Sequence, residues 1–232
     1  MPARDWSAEG AGARYRLFQL ASQALPIGGF SHSQGLEAAI VAGVVHDEET
    51  LLTWITDLLK FSLLSFEVPA LFDMSDCWNA AHYANVSALN DEFLAARETA
   101  ELRAMSVQMG FSMAKLVHSL PDMPAWLTDT LDAMPEPSMP CVWSGVACAW
   151  SLDSTDSAAA YVWSWAENQV LAALKSMRMG QSGGQRVLLS LGGLLGRTAP
   201  ERRPPPLRSN LAPAFAILSA AHETQYSRLF RS

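Results

Sequence analysis

Hydrophobic positions along this chain recur at helical spacing. Between Ala159 and Met177, the residues Ala159, Trp163, Ala166, Val170, Ala173 and Met177 follow at steps of four, three, four, three and four, the repeat of one helix face. Leu51, Trp54, Ile55, Leu58 and Leu59 make a second such face behind Asp47, a predicted N-cap, with Glu48 and Glu49 near the positive helix end. Leu102, Met105, Met109, Met113 and Leu116 make a third. Convincing period-two runs of β-branched residues are missing. The pattern predicts an all-α protein, a single compact domain (1–232) of roughly eight to ten packed helices.

Proline divides the chain. The stretches 70–120 and 141–199 contain none, and prolines crowd 121–140 and 200–213. Residues 1–14 are expected to be flexible. Residues 197–211, with the run RRPPPLR, read as an exposed connection to a last helix from about Ala212 to Leu229. Along that helix Phe215, Leu218, His222, Tyr226 and Leu229 share one weakly apolar face. The closing stretch HETQYSRLFRS sets Tyr226, Leu229 and Phe230 among Arg228 and Arg231. A terminus of this kind is expected to be mobile alone and to order on a partner.

Composition adds a large core and a sparse polar surface: 50% of the 232 residues are apolar, eight are Trp and only 17% are charged. Some of that apolar excess is expected to meet a partner. The net charge of −7 argues against nucleic acid as a ligand. One sector departs from this average. Seven basic residues stand between Lys175 and Arg208 against the single acid Glu201, and removing that +6 from the total of −7 leaves −13 on the rest. Such a sector is either suited to orienting an acidic partner or simply a solvated arginine-rich loop. Cys77, Cys141 and Cys148 have neither a C-x-x-C spacing nor the density of a disulfide scaffold. No signal peptide is evident, and VLLSLGGLLG is about half the length needed to cross a bilayer. A cytoplasmic, non-membrane protein is the expectation.

Each catalytic signature fails at a specific residue. HETQY begins like H-E-x-x-H but puts Tyr226 at the second ligand position. GFSHS resembles a nucleophile elbow, but Ser33 replaces the closing glycine and no strand precedes it. GGLLGRT is one residue short of a phosphate loop and has Arg197 in place of lysine, and GQSGGQR lacks the lysine and the strand. The histidines 32, 46, 82, 118 and 222 are scattered, with no pair at a helical ligand spacing. No catalytic or metal residues are assigned. Two stretches are nevertheless too specific for filler. LPIGGFSHSQGLE has glycines that permit positive φ, with Ser31 or Ser33 placed to cap the next helix. NQVLAALKSMRMGQSGGQR puts Lys175, one of three lysines, into an otherwise apolar helical run ending in a glutamine-rich turn.

Those two stretches and the tail, in this order, resemble the three signature regions of UreF, a family of urease accessory proteins; RETAELRAMSVQMG is similar more loosely. The likeness spans about Leu17 to Ser232. It implies an all-α homodimer without chemistry or cofactor of its own. Such a protein binds the accessory protein UreD (also called UreH) and recruits or regulates the GTPase UreG, so that nickel reaches apo-urease; nickel and GTP belong to the partners. Residue by residue, Phe30, Ser33 and Glu37 match the first region and Lys175, Gly180, Gln181 and Gln185 the second. Tyr226, Ser227, Arg228, Leu229 and Phe230 match the tail. The resemblance therefore implies partner contacts for Phe30, Ser33, Glu37, Lys175, Gln181, Gln185, Tyr226, Arg228, Leu229 and Phe230. Arg178 and Met179 stand where the family usually has Pro-Leu, which relaxes the helix end and adds a charge beside Lys175. The alternatives are an all-α enzyme or a nickel metallochaperone whose site forms only in three dimensions.

Overall fold

The computed structural model describes residues 8–198, 200–204 and 207–232. Among them every regular element is helical, as the apolar spacing predicts. The α-helices are α1 (Ala8–Ala21), α2 (Leu36–Val41), α3 (Glu48–Leu58), α4 (Val68–Asn79), α5 (Tyr83–Ala95), α6 (Ala100–Ser119), α7 (Ala125–Asp132), α8 (Met139–Ala149), α9 (Ser154–Ser176), α10 (Gln181–Leu195) and α11 (Pro213–Glu223). The expectation of a flexible 1–14 falls partly on residues 1–7, outside the described residues; from Ala8 the chain is helical.

The predicted helix faces differ in how well they match the core. Leu51, Trp54, Ile55, Leu58 and Leu59 are all buried, and Asp47 caps α3, its carboxylate accepting from the Thr50 amide at 2.8 Å. On α9 Ala166, Val170 and Ala173 are buried as predicted, whereas Ala159 is exposed and Trp163 and Met177 are half-buried, with Ala158 and Val162 buried in place of the first two. α9 also buries Asn168 and Gln169, whose side chains are occupied by a neighbouring loop.

The helices α3 and α4 are one uninterrupted rod, joined by a π-helical segment, Leu59–Glu67. Pro69 supplies the cause. A proline inside a helix lacks an N–H and collides with the carbonyl four residues earlier, here that of Ser65. Widening to i→i+5 bonding, as in Val68 N–H to Leu63 O, moves that carbonyl aside. The freed Ser65 oxygen accepts from the Ser209 amide at 3.2 Å, and the Ser65 hydroxyl donates to the Ser209 carbonyl at 2.5 Å.

The connection after α10 is accordingly a strap laid over the rod. Arg202 pairs with Asp76, Arg208 donates to Asp73 at 2.5 Å and to the Arg203 carbonyl at 2.9 Å, and Asn210 donates to the Ala96 carbonyl at 2.7 Å. Residues predicted as an exposed connection are exposed in part but held at four points. Much of the basic sector is thereby paired within the chain, Arg186 with Glu48 as well.

One apolar core runs from α1 to the tail, with α4 and α8 at its centre. Trp143 is fully buried and donates to the Ser157 hydroxyl at 3.0 Å. Beside it Tyr161 donates to Glu67 at 2.9 Å, and Glu67 accepts from the buried Arg97 at 2.6 Å, which ties the π segment to α9 and to the α5–α6 turn. At Gly110 of α6 the segment leading into α8 passes close by, and a Cβ there would stand 1.9 Å from the Pro137 carbonyl oxygen.

Gly110→Ala therefore meets backbone that no side-chain rotation can move. It is expected to lower stability by about 1–3 kcal/mol in denaturant unfolding. Gly193→Ala, on the exposed side of α10 with its nearest neighbour 3.8 Å away, is the control and should not lower it.

Candidate functional site

The two distinctive stretches and the tail, far apart in sequence, meet in one place. The first is a tight path: Gly28 and Gly35 take φ +79° and +77°, which a side chain would strain, and a 3₁₀ turn, Gly29–Ser31, lies between them. Ser31 donates to the Gly28 carbonyl at 2.7 Å and is a turn residue; Ser33 is the one that reaches the following helix, its hydroxyl accepting from the Glu37 amide at 3.3 Å. α9 holds this path from behind. Trp165 donates to the Gln34 side chain (2.7 Å), Asn168 to the His32 carbonyl (3.0 Å) and Gln169 to the Ser33 carbonyl (3.1 Å).

The tail lies in front of the path, in hydrogen-bond contact with it. The Ser232 carbonyl accepts from the amides of Ser33 (2.5 Å) and Gln34 (3.0 Å) and from the Ser33 hydroxyl (2.8 Å), and the Arg231 amide donates to the Ser31 carbonyl (2.9 Å). Glu37 presents its carboxylate to the amides of Leu229 (2.7 Å) and Phe230 (3.0 Å). The expectation of a mobile tail is thus corrected: backbone groups that would otherwise need water are satisfied by the chain's own body. The predicted long last helix is corrected with it. α11 stops at Glu223: the next amides, of Thr224 and Gln225, turn back to the Ala221 (3.3 Å) and His222 (3.1 Å) carbonyls, the Leu229 amide goes to Glu37, and Tyr226 and Leu229 leave the face that Phe215 and His222 bury.

An ionic cluster anchors the end of α11. His222 is completely buried, with Nδ1 2.7 Å from Glu101 of α6 and Nε2 3.2 Å from Glu37 of α2. Arg228 donates to the other Glu101 oxygen at 2.6 Å. Each ring nitrogen faces a carboxylate, so the ring bridges the two acids, one on α6 and one on α2. Two acids and two bases close the cluster. HETQY is therefore a structural junction.

Lys175 also finds its explanation here. Its ammonium donates to the Phe30 carbonyl at 3.3 Å and stands 5.5 Å from the Phe30 ring and 5.7 Å from the Phe230 ring, a cation between two aromatic groups.

Not every matched residue faces outward. Ser33, Glu37 and Phe230 are buried, Ser33 and Glu37 with their side chains hydrogen-bonded to the tail and Phe230 beside Lys175. Phe30, Tyr226 and Leu229 are exposed, Tyr226 completely. Arg228 is 39% exposed beyond its pair with Glu101. Gln181 and Gln185 are exposed at the start of α10, outside the hydrogen bonds that join the three segments. Glu101 went unread because an acid in the first turn behind the Thr99 cap looks like an ordinary helix-end charge. His32 and Ser232 carry no motif. Their only signal is the density of polar residues in the two stretches.

Burial, reinforced by Arg231, pulls the His32 imidazole from its usual 6.5 to about 4. Its Nδ1 lies 2.8 Å from the Ser232 hydroxyl. Among the described residues, no group of three or more His, Cys, Asp or Glu has the arrangement of a metal site, and no helix is long and apolar enough to cross a membrane.

The UreF family model matches residues 45–192, more than half of the chain. The chain is 47% identical over 220 residues to the urease accessory protein UreF of Dechloromonas aromatica, covering 94% of this chain and 96% of that protein. It is 44% identical over 222 residues to the urease accessory protein UreF of Azoarcus sp. strain BH72, with 94% of each chain covered. Similarity extends to the bifunctional urease accessory protein UreEF of Bordetella bronchiseptica, 42% identical over 227 residues, 96% of this chain and 52% of that longer protein.

Glu37→Ala removes the acceptor for two tail amides and one of the two carboxylates facing His222. The Leu229 and Phe230 amides are expected to exchange hydrogen at least tenfold faster, about 1.4 kcal/mol of lost protection, while α4 and α8 amides slow to exchange in the parent stay slow. His32 gives the fold an acid dependence of definite sign. The folded state keeps it neutral while the unfolded chain takes up a proton below about 6.5, so its contribution is complete above that pH and is lost as the pH falls toward 4. Between pH 7 and pH 5 the loss should be on the order of 1–2 kcal/mol in urea unfolding, and His32→Gln should lose less over the same interval.

Proposed function

Because the chain belongs to the UreF family of urease accessory proteins, with a general role in urease maturation, we propose that it is the non-catalytic adaptor of that process. In this reading it binds the UreD/UreH-type accessory protein and recruits or regulates the UreG GTPase, so that nickel is inserted into apo-urease. Nickel is cargo and GTP is the partner's substrate. The chain works as a homodimer in the cytoplasm, and Lys175 with the turn before Gln181 and Gln185 lies on the surface that receives the GTPase.

The observation that supports this most is the form of the closed tail. Its backbone is held by Glu37, Ser31 and Ser33, yet Tyr226, Leu229 and, alongside, Phe30 are exposed at 105%, 64% and 60%. A tyrosine and a leucine held out from an anchored backbone have already lost much of the freedom that binding would otherwise cost. Arg228, with its planar group oriented by Glu101, stands next to them.

The substitutions that test this leave the anchor alone. Tyr226→Ala with Leu229→Asp should weaken capture of the UreD/UreH-type protein at least tenfold, about 1.4 kcal/mol, and lower urease activation in a reconstituted mixture, with an unchanged melting temperature. Normal recruitment and normal activation by that double variant would overturn the assignment.

A further inference from the structure

The basic sector is only partly used inside the molecule. Arg186, Arg202 and Arg208 are paired with Glu48, Asp76 and Asp73. Among the described residues no carboxylate lies within ion-pair distance of Lys60, Arg197 or Arg203. Lys60 and Arg203 line one cleft of about 370 Å³ from different elements, and Arg197 lies between two of its lining residues, Leu195 and Thr198.

One wall of this cleft is the π segment with the last turn of α3: Thr56, Leu59, Lys60 and Leu64. The other is the end of α10, with Leu194 and Leu195, and the strap, with Thr198, Glu201 and Arg203. The floor is leucine and the rim is charged. Leu64, Leu194 and Leu195 are only half-buried, so their apolar surface is incompletely covered by the chain itself. The walls are fixed by the bonds already described. Pro69 forces the π segment, the freed Ser65 carbonyl holds the strap at Ser209, and Arg208 holds the Arg203 carbonyl.

We propose that this cleft is a docking site for an acidic segment of a partner protein, which seats a leucine- or phenylalanine-sized side chain on the leucine floor and sets carboxylates against Lys60 and Arg203. Charge decides the occupant. Lys60 and Arg203 outweigh Glu201 on the rim, Arg197 adds to the excess beside it, and all this stands on a protein of net charge −7. A basic segment would meet the cations first, whereas an acidic one is drawn to the one basic sector and repelled elsewhere. The adaptor reading bears only on which protein carries the segment. The cleft itself can be tested without it.

Two fluorescein-labelled helical peptides serve as probes, one with a leucine stripe flanked by glutamates and one with the glutamates replaced by lysines, each titrated against the intact protein by anisotropy. The acidic peptide is expected to bind at least tenfold more tightly than the basic one and to weaken with added salt. Lys60→Glu with Arg203→Glu should abolish that preference at an unchanged melting temperature. Tyr226→Ala with Leu229→Asp should leave it intact, which separates failure of the cleft from failure of the adaptor reading. Equal binding of the two peptides, binding of neither, or a preference indifferent to the charge reversal would overturn the proposal. So would a dimer in size-exclusion chromatography that dissociates on the charge reversal, because the cleft would then hold a second copy of the chain.

Discussion

The carboxylate of Glu37 is where the three distinctive segments of this protein become one. It accepts two tail amides, faces a buried histidine on α11 and belongs to the helix that follows the Gly28–Gly35 path. Burying a carboxylate is costly unless charge and hydrogen bonds compensate it. Here the Leu229 and Phe230 amides donate to it, and His222 links it to Glu101, which in turn orients Arg228. The position of each group thus depends on the others. What faces outward as a result is Tyr226, Leu229 and Phe30, apolar side chains on a backbone that is already ordered.

A second constraint shapes the opposite wall of the molecule. Pro69 falls within a continuous rod, and the rod accommodates it by widening rather than by breaking. Widening frees a carbonyl, and that carbonyl takes the strap. From this follows the sorting of the strap arginines: Arg202 and Arg208 are neutralised by Asp76 and Asp73, and Arg203 faces the leucine cleft. A local backbone problem thereby sets the charge pattern of a surface more than a hundred residues further along the chain.

Much was legible in the sequence. The face of α3 and its Asp47 cap follow from spacing and capping chemistry alone, both local properties. So does the all-helical class. The likeness to UreF, carried by short stretches in order, agrees with the family match and with relatives covering nearly the full chain. Where local reasoning failed, the failures share a cause. On α9 Ala158 and Val162 are buried in place of Ala159 and Trp163, and Asn168 and Gln169 are buried as well, by bonds to a loop 136 positions earlier. α11 ends at Glu223 in a turn, short of Leu229, and the Leu229 amide is taken instead by Glu37, 192 residues earlier, a partner that local spacing does not reveal.

The sequence by itself determined helix class, family, the cap of α3 and the presence of a polar, glycine-bearing path and an aromatic tail, since each depends on residue type and near-neighbour spacing. Only the tertiary structure decided that the tail closes on that path, that Ser33, Glu37 and Phe230 work inward while Phe30, Tyr226 and Leu229 work outward, and which arginines are left unpaired. Those outcomes rest on hydrogen bonds and ion pairs between residues distant in the chain. Such pairings carry no period, and they are selected only when packing brings the partners within reach.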